Sequence, residues 1–475
     1  MKKNLMFYSI LLAVLAITLD VFAQEPQKEF FTGRRSELLK KMNDGGIMIL
    51  AAGKTQPSRN SDLPFKQDDN FYYLTGYKTE DAICLISPKT ANKYILFVRK
   101  GSSYKRVEGK LVKQDFLKET MQTYGADTAY FTEDFERVFN RYASSESKIY
   151  LRRSDKTEYE LISKLIKNRP APQKIVEPAQ LLSELRIIKT PEEIAYIKKA
   201  ADITTEAQIE AMKAAKPKMN ERALDAIIGY IYRLRWASGF GFPSIVGSGP
   251  NSLILHWETN DREMQDGDMC VMDLGAAYNG YSADITRTMP VNGKFTNEQK
   301  EIYNAVLKSQ KEAIKLFKPG ALPAEIEEIV ANILREELFK LGLITDKNTT
   351  WQHRIWYPHG CSHSIGLDVH DATPMSYYKE GLKPNMIFTI EPGLYIGLST
   401  LEQLKQIRSG TKGEKEFMDF YEKVLPVVKK YNNIGIRIED DVLITEEGNT
   451  IITQKCPKEI AEIEKLMKQK SRFAD

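Results

Sequence analysis

Five side chains able to bind a metal, Asp273, Asp284, His363, Glu391 and Glu439, each sit inside a short string of otherwise apolar, strand-forming residues. The strings are VMDLGAAYNGYSADITRT, HGCSHSIGLDVHD, FTIEPGLY and GIRIEDDVLI. Burying an unpaired carboxylate costs several kcal/mol, roughly, so a fold that takes these strands must bring the acids to a common partner. Four carboxylates and one imidazole can hold two divalent cations if some carboxylates bridge. Two cations that share a water are a known route to hydroxide near neutral pH, which points to a hydrolase. The chain has only five histidines, and His256, His359, His363 and His370 fall in or beside these strings, leaving His353 as the outsider.

Asp273 and Asp284 are separated by LGAAYNGYSA, in which Asn279-Gly280 is a strong turn signal, so the flanking runs are predicted to form a hairpin with both acids facing one cavity. His359 and His363 are four residues apart and would share a face on a helix, as a zinc pair does. Gly360 and Gly366 argue against a continuous helix there, and strands and turns fit better. An oxygen-rich set with one imidazole favours hard or borderline ions, Mn2+ first, with Co2+, Fe2+ or Zn2+ also compatible. In that setting Glu391 serves as ligand and as the base for the attacking water, while His370 donates to the developing oxyanion. Arg437, two residues before Glu439, orients carboxylates from behind.

With 475 residues and 42% hydrophobic content the chain can bury a full core, and disorder is excluded as its main state. The first residues read as an export signal: Lys2 and Lys3, an apolar run over 5–19, then Val21-Phe22-Ala23 as a cleavage site. The run is short of the ~20 residues of a membrane-spanning helix. We expect a mature chain starting near Gln24, periplasmic or secreted, with no membrane span. Cleavage takes the formal charge from +4 to +3, too small and scattered for a nucleic-acid partner. Cys84, Cys270, Cys361 and Cys456 form neither a C-x-x-C pair nor a dense framework. Cys270 is expected to be a buried thiol, and the oxygen-rich surroundings argue against Cys361 as a ligand.

From 46 to about 153, short apolar runs (GIMILAAG, FYYLTGY, AICLISP, KYILFVRK, SKIYLRR) alternate with helical patterns near 111–124 and 158–167, the rhythm of an α/β domain. Pro170, Pro172 and Pro178 then mark a boundary, which we set between 178 and 179. Thr190-Pro191-Glu192-Glu193 starts a long helix. The second half runs helix, helix, strands, two helices and further strands, joined by short turns that imply antiparallel pairing, so it reads as α+β. The Lys- and Glu-rich stretch 399–430 reads as a solvated surface helix inserted in a loop.

IVGSGPNSLILHWETN, MDLGAAYNGYSADITRT, HGCSHSIGLDVHD, FTIEPGLYI and GIRIEDDVLIT together resemble the pita-bread metallopeptidases, and within them the aminopeptidase P family. RNSDLPFKQDDNFYYLTGY is similar to a segment of that family's N-terminal domain, so the likeness spans nearly the whole mature chain. It implies an α/β N-terminal domain (24–178) and a pita-bread catalytic domain (179–475); the signal peptide read in 1–23 is unlike the cytoplasmic bacterial members. It also implies a dinuclear site, most often Mn2+, removal of the first residue from peptides with proline second, and dimers or tetramers. By motif the ligands are Asp273, Asp284, His363, Glu391 and Glu439, with His256, His359 and His370 handling substrate and Arg437 behind them. Phe242 stands where bacterial relatives have a tyrosine that contacts the site carboxylates, and Val107 stands near a tryptophan of many relatives. A prolidase, which uses the same ligands on dipeptides, is the nearest alternative. A metal-free hydrolase of the same fold is disfavoured because all five ligand positions are intact, and a noncatalytic binding protein because none of His363, Glu391 and His370 is lost.

Overall fold

The computed structural model describes residues 28–53, 65–102, 104–107, 110–113, 115–144, 146–153, 156–167 and 174–473. The export-signal residues 1–23 and the start of the RNSD string lie outside the described residues. Among the described residues no helix is long and apolar enough to cross a membrane.

The chain forms two compact units, Gln24–Arg186 and a second beginning at Ile187. The division falls at 186/187 rather than 178/179. The helix Ala179–Arg186 belongs with the first unit, because Glu184 pairs with Lys41 (2.7 Å), Arg186 donates to Asn70 (2.8 Å), and Leu185 O accepts from Tyr73 OH (3.1 Å).

The first unit has a six-stranded sheet made of β1 (Ile47–Ala51), β2 (Ile83–Ile86), β3 (Tyr94–Val98), β6 (Thr128–Phe131), β7 (Lys148–Tyr150) and β8 (Lys174–Val176). β4 (Tyr104–Val107) and β5 (Lys110–Lys113) form a separate hairpin. The sheet order is β6-β3-β2-β1-β7-β8, antiparallel in its centre and parallel toward both edges. Ile47, Ile49, Leu85, Ile95 and Phe97 meet Phe135, Val138 and Phe139 of the helix Phe135–Ala143 in its core.

Two expectations fail in this unit. FYYLTGY is not a strand: its first five residues end the helix Asp69–Thr75. Asp68 caps that helix by accepting from Phe71 N (2.8 Å), and Gly76 closes it at φ +69°. Arg34 and Arg35 then donate to Tyr73 O (3.0 Å) and Leu74 O (2.7 Å), which satisfies carbonyls the helix end leaves open. The aromatic run hid these caps. The helix expected near 111–124 begins only at Phe116, since the preceding residues pair as β5 and Asp115 caps the helix. The side chain of Val107, on β4, lies outside the described residues.

The second unit is α+β, as expected, with every strand pairing antiparallel. Its strands are β9 (Gly239–Phe240), β10 (Ile245–Ser248), β11 (Met269–Leu274), β12 (Ala276–Tyr278), β13 (Tyr281–Ser282), β14 (Ile285–Pro290), β15 (Ile387–Ile390), β16 (Gly393–Ile396), β17 (Ile434–Arg437), β18 (Asp440–Ile444) and β19 (Asn449–Ile451). They form the sheets β10-β11-β14, β13-β12-β9 and β15-β18-β19 and the ribbon β16-β17. The helix Pro191–Ala214 opens with a full capping box between Thr190 and Glu193. It packs against β12 and β14, and Asn297–Leu316 packs against β15, β16 and β17. Cys270, Met272 and Leu274 enter the shared core, so strand alternation sends Asp273 to the opposite face.

The stretch 399–430 departs from the expected solvated helix. It is a helical hairpin, Leu398–Arg408 and Glu414–Lys430, inserted between the paired residues Ile396 and Ile434. Phe417, Phe420, Tyr421, Val424 and Val428 recur at three- and four-residue spacing and are buried in the main core. Charge on the outer face concealed that apolar stripe.

Candidate active site

Asp273 and Asp284 are brought together by the predicted hairpin, interrupted rather than continuous. β11 pairs with β14 so that Asp273 faces Thr286, while Asn279 adopts φ +50° and Gly280 φ +84° at the turn. Asp284 lies in the break between β13 and β14. Glu391 and Glu439 occupy matching breaks, between β15 and β16 and between β17 and β18. A residue where the strand changes partners projects a side chain without interrupting a ladder of backbone bonds. Glu391 N donates to Cys361 O (2.8 Å) and Glu439 N donates to Thr286 O (3.0 Å), so both backbones are held.

The segment 359–371 is irregular, as Gly360 and Gly366 suggested. Its start is fixed by Glu327, which accepts from Cys361 N (2.9 Å) and Tyr357 OH (2.9 Å). His363 is fixed by Thr389, whose hydroxyl accepts from His363 N (3.1 Å) and whose own N donates to His363 O (2.9 Å). Ser364 O is 3.1 Å from His363 Nδ1; a carbonyl only accepts, so Nδ1 carries the proton and Nε2 is free. That Nε2 lies 3.6 Å from Asp284 Oδ2 and 3.5 Å from Glu391 Oε1, the spacing of ligands around a common ion rather than of hydrogen-bond partners.

Ligand atoms of Asp284, His363 and Glu439 all lie within 4.8 Å of one another. Glu391 joins this group through His363. Asp273 adjoins it through Arg437, whose Nη2 donates to Asp273 Oδ2 (2.6 Å) while its Nε donates to Thr286 Oγ1 (3.1 Å). That hydroxyl in turn donates to Glu439 Oε2 (2.6 Å). Oδ1 of Asp273 and Oδ1 of Asp284 are buried without a hydrogen-bond partner. Burial and the neighbouring carboxylates push Asp284 and Glu439 well above the usual carboxylate range. Burial also pushes Glu391 up to about 8, against the opposing pull of Arg437. Three buried acids and the half-buried Glu391, with one arginine among them, lack positive charge, and orphaned oxygens beside a free imidazole nitrogen are a donor set that fits divalent cations.

Burial, reinforced by Arg437, lowers His359 to about 4, and burial with His370 alongside lowers His363 to about 4, so both rings are neutral at pH 7. His359 Nδ1 donates to Gly360 O (2.8 Å), which leaves Nε2 to accept from Tyr395 OH (2.9 Å); that hydroxyl accepts from Arg437 Nη1 (2.7 Å). His370 is exposed and its ring centroid is 4.2 Å from that of His363. His256 is exposed on the turn after the helical segment Gly249–Leu253, and the carbonyl of its neighbour Leu255 accepts from Arg437 (3.5 Å). His353 is buried elsewhere beside Arg335. Phe242 lies against Gly275, two residues from Asp273, and offers no hydroxyl there. A cavity of about 610 Å³ opens beside His359, His363 and His370, with Glu327, Arg354 and Tyr378 also in its wall.

The sequence reading passed over Thr286, Thr389 and Tyr395. A signal for the two threonines was present: Asp284 and Thr286, Thr389 and Glu391, and Arg437 and Glu439 are each two residues apart, the period that keeps polar side chains on one strand face.

Two family models match the chain, metallopeptidase family M24 over residues 195–446 and the aminopeptidase P N-terminal domain over residues 31–150. The Xaa-Pro aminopeptidase of Escherichia coli (strain K12) is 33% identical over 461 residues, covering 93% of this chain and 98% of that one. Xaa-Pro aminopeptidase 3 of Homo sapiens is 31% identical over 442 residues, covering 90% and 82%. The solved structure of Pseudomonas aeruginosa aminopeptidase PepP aligns with a TM-score of 0.81 at 30% identity, over 94% of this chain and 99% of that one. Zinc-substituted E. coli aminopeptidase P in complex with product aligns with a TM-score of 0.78 at 30% identity, with the same coverage. An α/β N-terminal domain followed by an M24 pita-bread domain, matched in order along one chain and carrying a buried acid and imidazole centre, makes this protein a metallo-exopeptidase of the aminopeptidase P family.

Proposed function

We propose that this chain is an exported Xaa-Pro aminopeptidase with a dinuclear Mn2+ centre, which releases the first residue of peptides whose second residue is proline. The observation that carries the reading is the meeting of Asp284, His363 and Glu439 within 4.8 Å, with unpartnered aspartate oxygens and a neutral imidazole turned inward. Asp273, Asp284, His363, Glu391 and Glu439 would hold the ions, and the oxygen-rich set favours Mn2+ over softer choices. Bound divalent ions supply Lewis acidity, lowering the pKa of water and polarising a carbonyl oxygen. Export is supported by the basic, apolar and cleavage-site pattern of residues 1–23.

The protein's own groups supply the rest. Glu391, whose Oε1 lies 3.5 Å from His363 Nε2, is placed to take a proton from water at the centre. Exposed on its loop, His370 is free to donate to the oxyanion as it develops. Arg437 holds Asp273 and, through Thr286, Glu439. Tyr395 passes the orientation of Arg437 on to His359, and His256 and His359 flank the proline ring. The cavity beside the histidines accommodates the peptide beyond the second residue. An Xaa-Pro bond has no amide N–H, so a peptidase that depends on that donor cannot seat it; a site that grips the carbonyl oxygen needs no such donor.

The mature chain with Mn2+ is expected to release X from an X-Pro-Y tripeptide, and to cleave X-Ala-Y about tenfold to a hundredfold more slowly in kcat/KM. Equal rates on the two would refute the proline preference, and a preference for the X-Pro dipeptide would make the enzyme a prolidase. In the same assay Tyr395→Phe, which leaves His359 Nε2 without its donor, is expected to lower kcat/KM about tenfold. An unchanged value would mean the hydroxyl only fills space.

A further inference from the structure

The loop that carries His363 and His370 is stapled from inside. Ser364 Oγ donates to Asp371 O (2.6 Å) and Asp371 N donates to Ser364 O (2.9 Å), which draws the two ends together. The Asp371 side chain turns into the interior, where Lys189 Nζ meets Oδ2 at 2.8 Å with both side chains almost fully buried. Gly366 presses on this pair: a Cβ there would overlap the Asp371 carboxylate and stand 3.2 Å from Lys189 Nζ.

Both ends of the clamp are anchored to other parts of the site. Gly366 O accepts from Ser282 N (2.8 Å), two residues before Asp284. Lys189 N donates to Asn385 O (2.8 Å), just ahead of β15, which leads to Glu391. Four residues after Lys189, Glu193 accepts from Tyr281 OH (2.9 Å) on the hairpin that carries Asp284. One buried cation at the head of the long helix therefore ties the histidine loop to the framework of the carboxylates.

A buried ion pair brings little stability over an apolar pair of similar volume, because desolvation offsets its attraction. What apolar side chains cannot provide is direction. We infer that Lys189 and Asp371 are positioning residues, whose ion pair sets where His363 and His370 stand relative to Asp284 and Glu391. The inference rests on His363 as a ligand and His370 as the oxyanion donor, as proposed above.

The test is the double variant Lys189→Met/Asp371→Val, which removes both charges of the pair together. It is expected to melt within a few degrees of the parent. Mn2+ affinity by calorimetry should fall about tenfold or more, and kcat on X-Pro-Y should fall by a similar factor with KM little changed. Parent-like Mn2+ affinity and kcat in the folded double variant would overturn the inference, leaving the pair a packing element. If the double variant fails to fold, Gly366→Ala decides the matter, because it keeps both charges and forces the Asp371 carboxylate off Lys189. Parent-like values for that variant would overturn it equally. Should the parent bind Mn2+ and yet leave X-Pro-Y intact, the proposed function falls while the Mn2+ measurement still tests the clamp.

Discussion

Glu391→Gln is expected to lower kcat by about 10²- to 10⁴-fold, the usual range for loss of a general base. Glutamine keeps the shape and one oxygen, but it cannot accept the proton of water. The break between β15 and β16 holds the backbone, with Glu391 N bonded to Cys361 O, so the fold survives the change. Peptide binding should persist, because the groups assigned to it, His256 and His359, are untouched. Measuring kcat and the inhibition constant of an uncleaved peptide, at a metal loading confirmed by elemental analysis, separates turnover from binding. Near-normal turnover in the loaded variant would place the base on another residue.

Stripping the divalent ions with a chelator is expected to abolish turnover and also to give folding stability an unusual slope with pH. Glu391 is pushed up to about 8, and Asp284 and Glu439 are raised well above their usual range. A carboxyl raised in the folded state favours folding while it stays protonated, so its contribution is full below the unfolded value and is lost as pH rises through the folded one. His359 and His363, lowered to about 4, act in the opposite sense, but only below the ordinary histidine value of about 6.5. Between about pH 6.5 and 8 only the carboxyls count. There the metal-free protein should lose up to about 1.4 kcal/mol per pH unit for each group still protonated. Saturating Mn2+ should flatten the slope, because bound cations favour the ionised carboxylates. Urea unfolding across this window with and without metal checks it. A metal-free protein that gains stability from pH 6.5 to 8 would contradict the assignment of these acids to one buried centre.

Much of the site was legible because burial is severe toward charge. A carboxylate set among Val, Ile and Met has few physical options, so Asp273 and Asp284 identified their hairpin, and the glycines around His363 excluded a helix. What stayed hidden depended on partners distant in sequence. Nothing local in FYYLTGY shows that Arg34 and Arg35 will take its carbonyls, without which an aromatic run looks like a strand. Likewise the stripe from Phe417 to Val428 is masked by the lysines and glutamates that share its helix. Tyr395 sits in an apolar string where only Arg437 and His359, 42 and 36 residues away, show its hydroxyl to be employed. Lys189 and Asp371, 182 residues apart, could not be paired from either neighbourhood.

The four cysteines are thiols and all are buried. Burial raises Cys270 and Cys361 well above the ordinary thiol range and Cys456 to about 11, so these sulfurs stay protonated and unreactive while the structure is closed. Cys84 belongs to the first unit and the other three to the second. The chain therefore carries its own set of opening sensors: under a thiol-alkylating pulse, each sulfur is modified only as fast as its surroundings unfold. Peptide mapping of the label would give a separate opening free energy for each unit, with Cys361 reporting on the histidine loop itself, and no engineered probe would be needed.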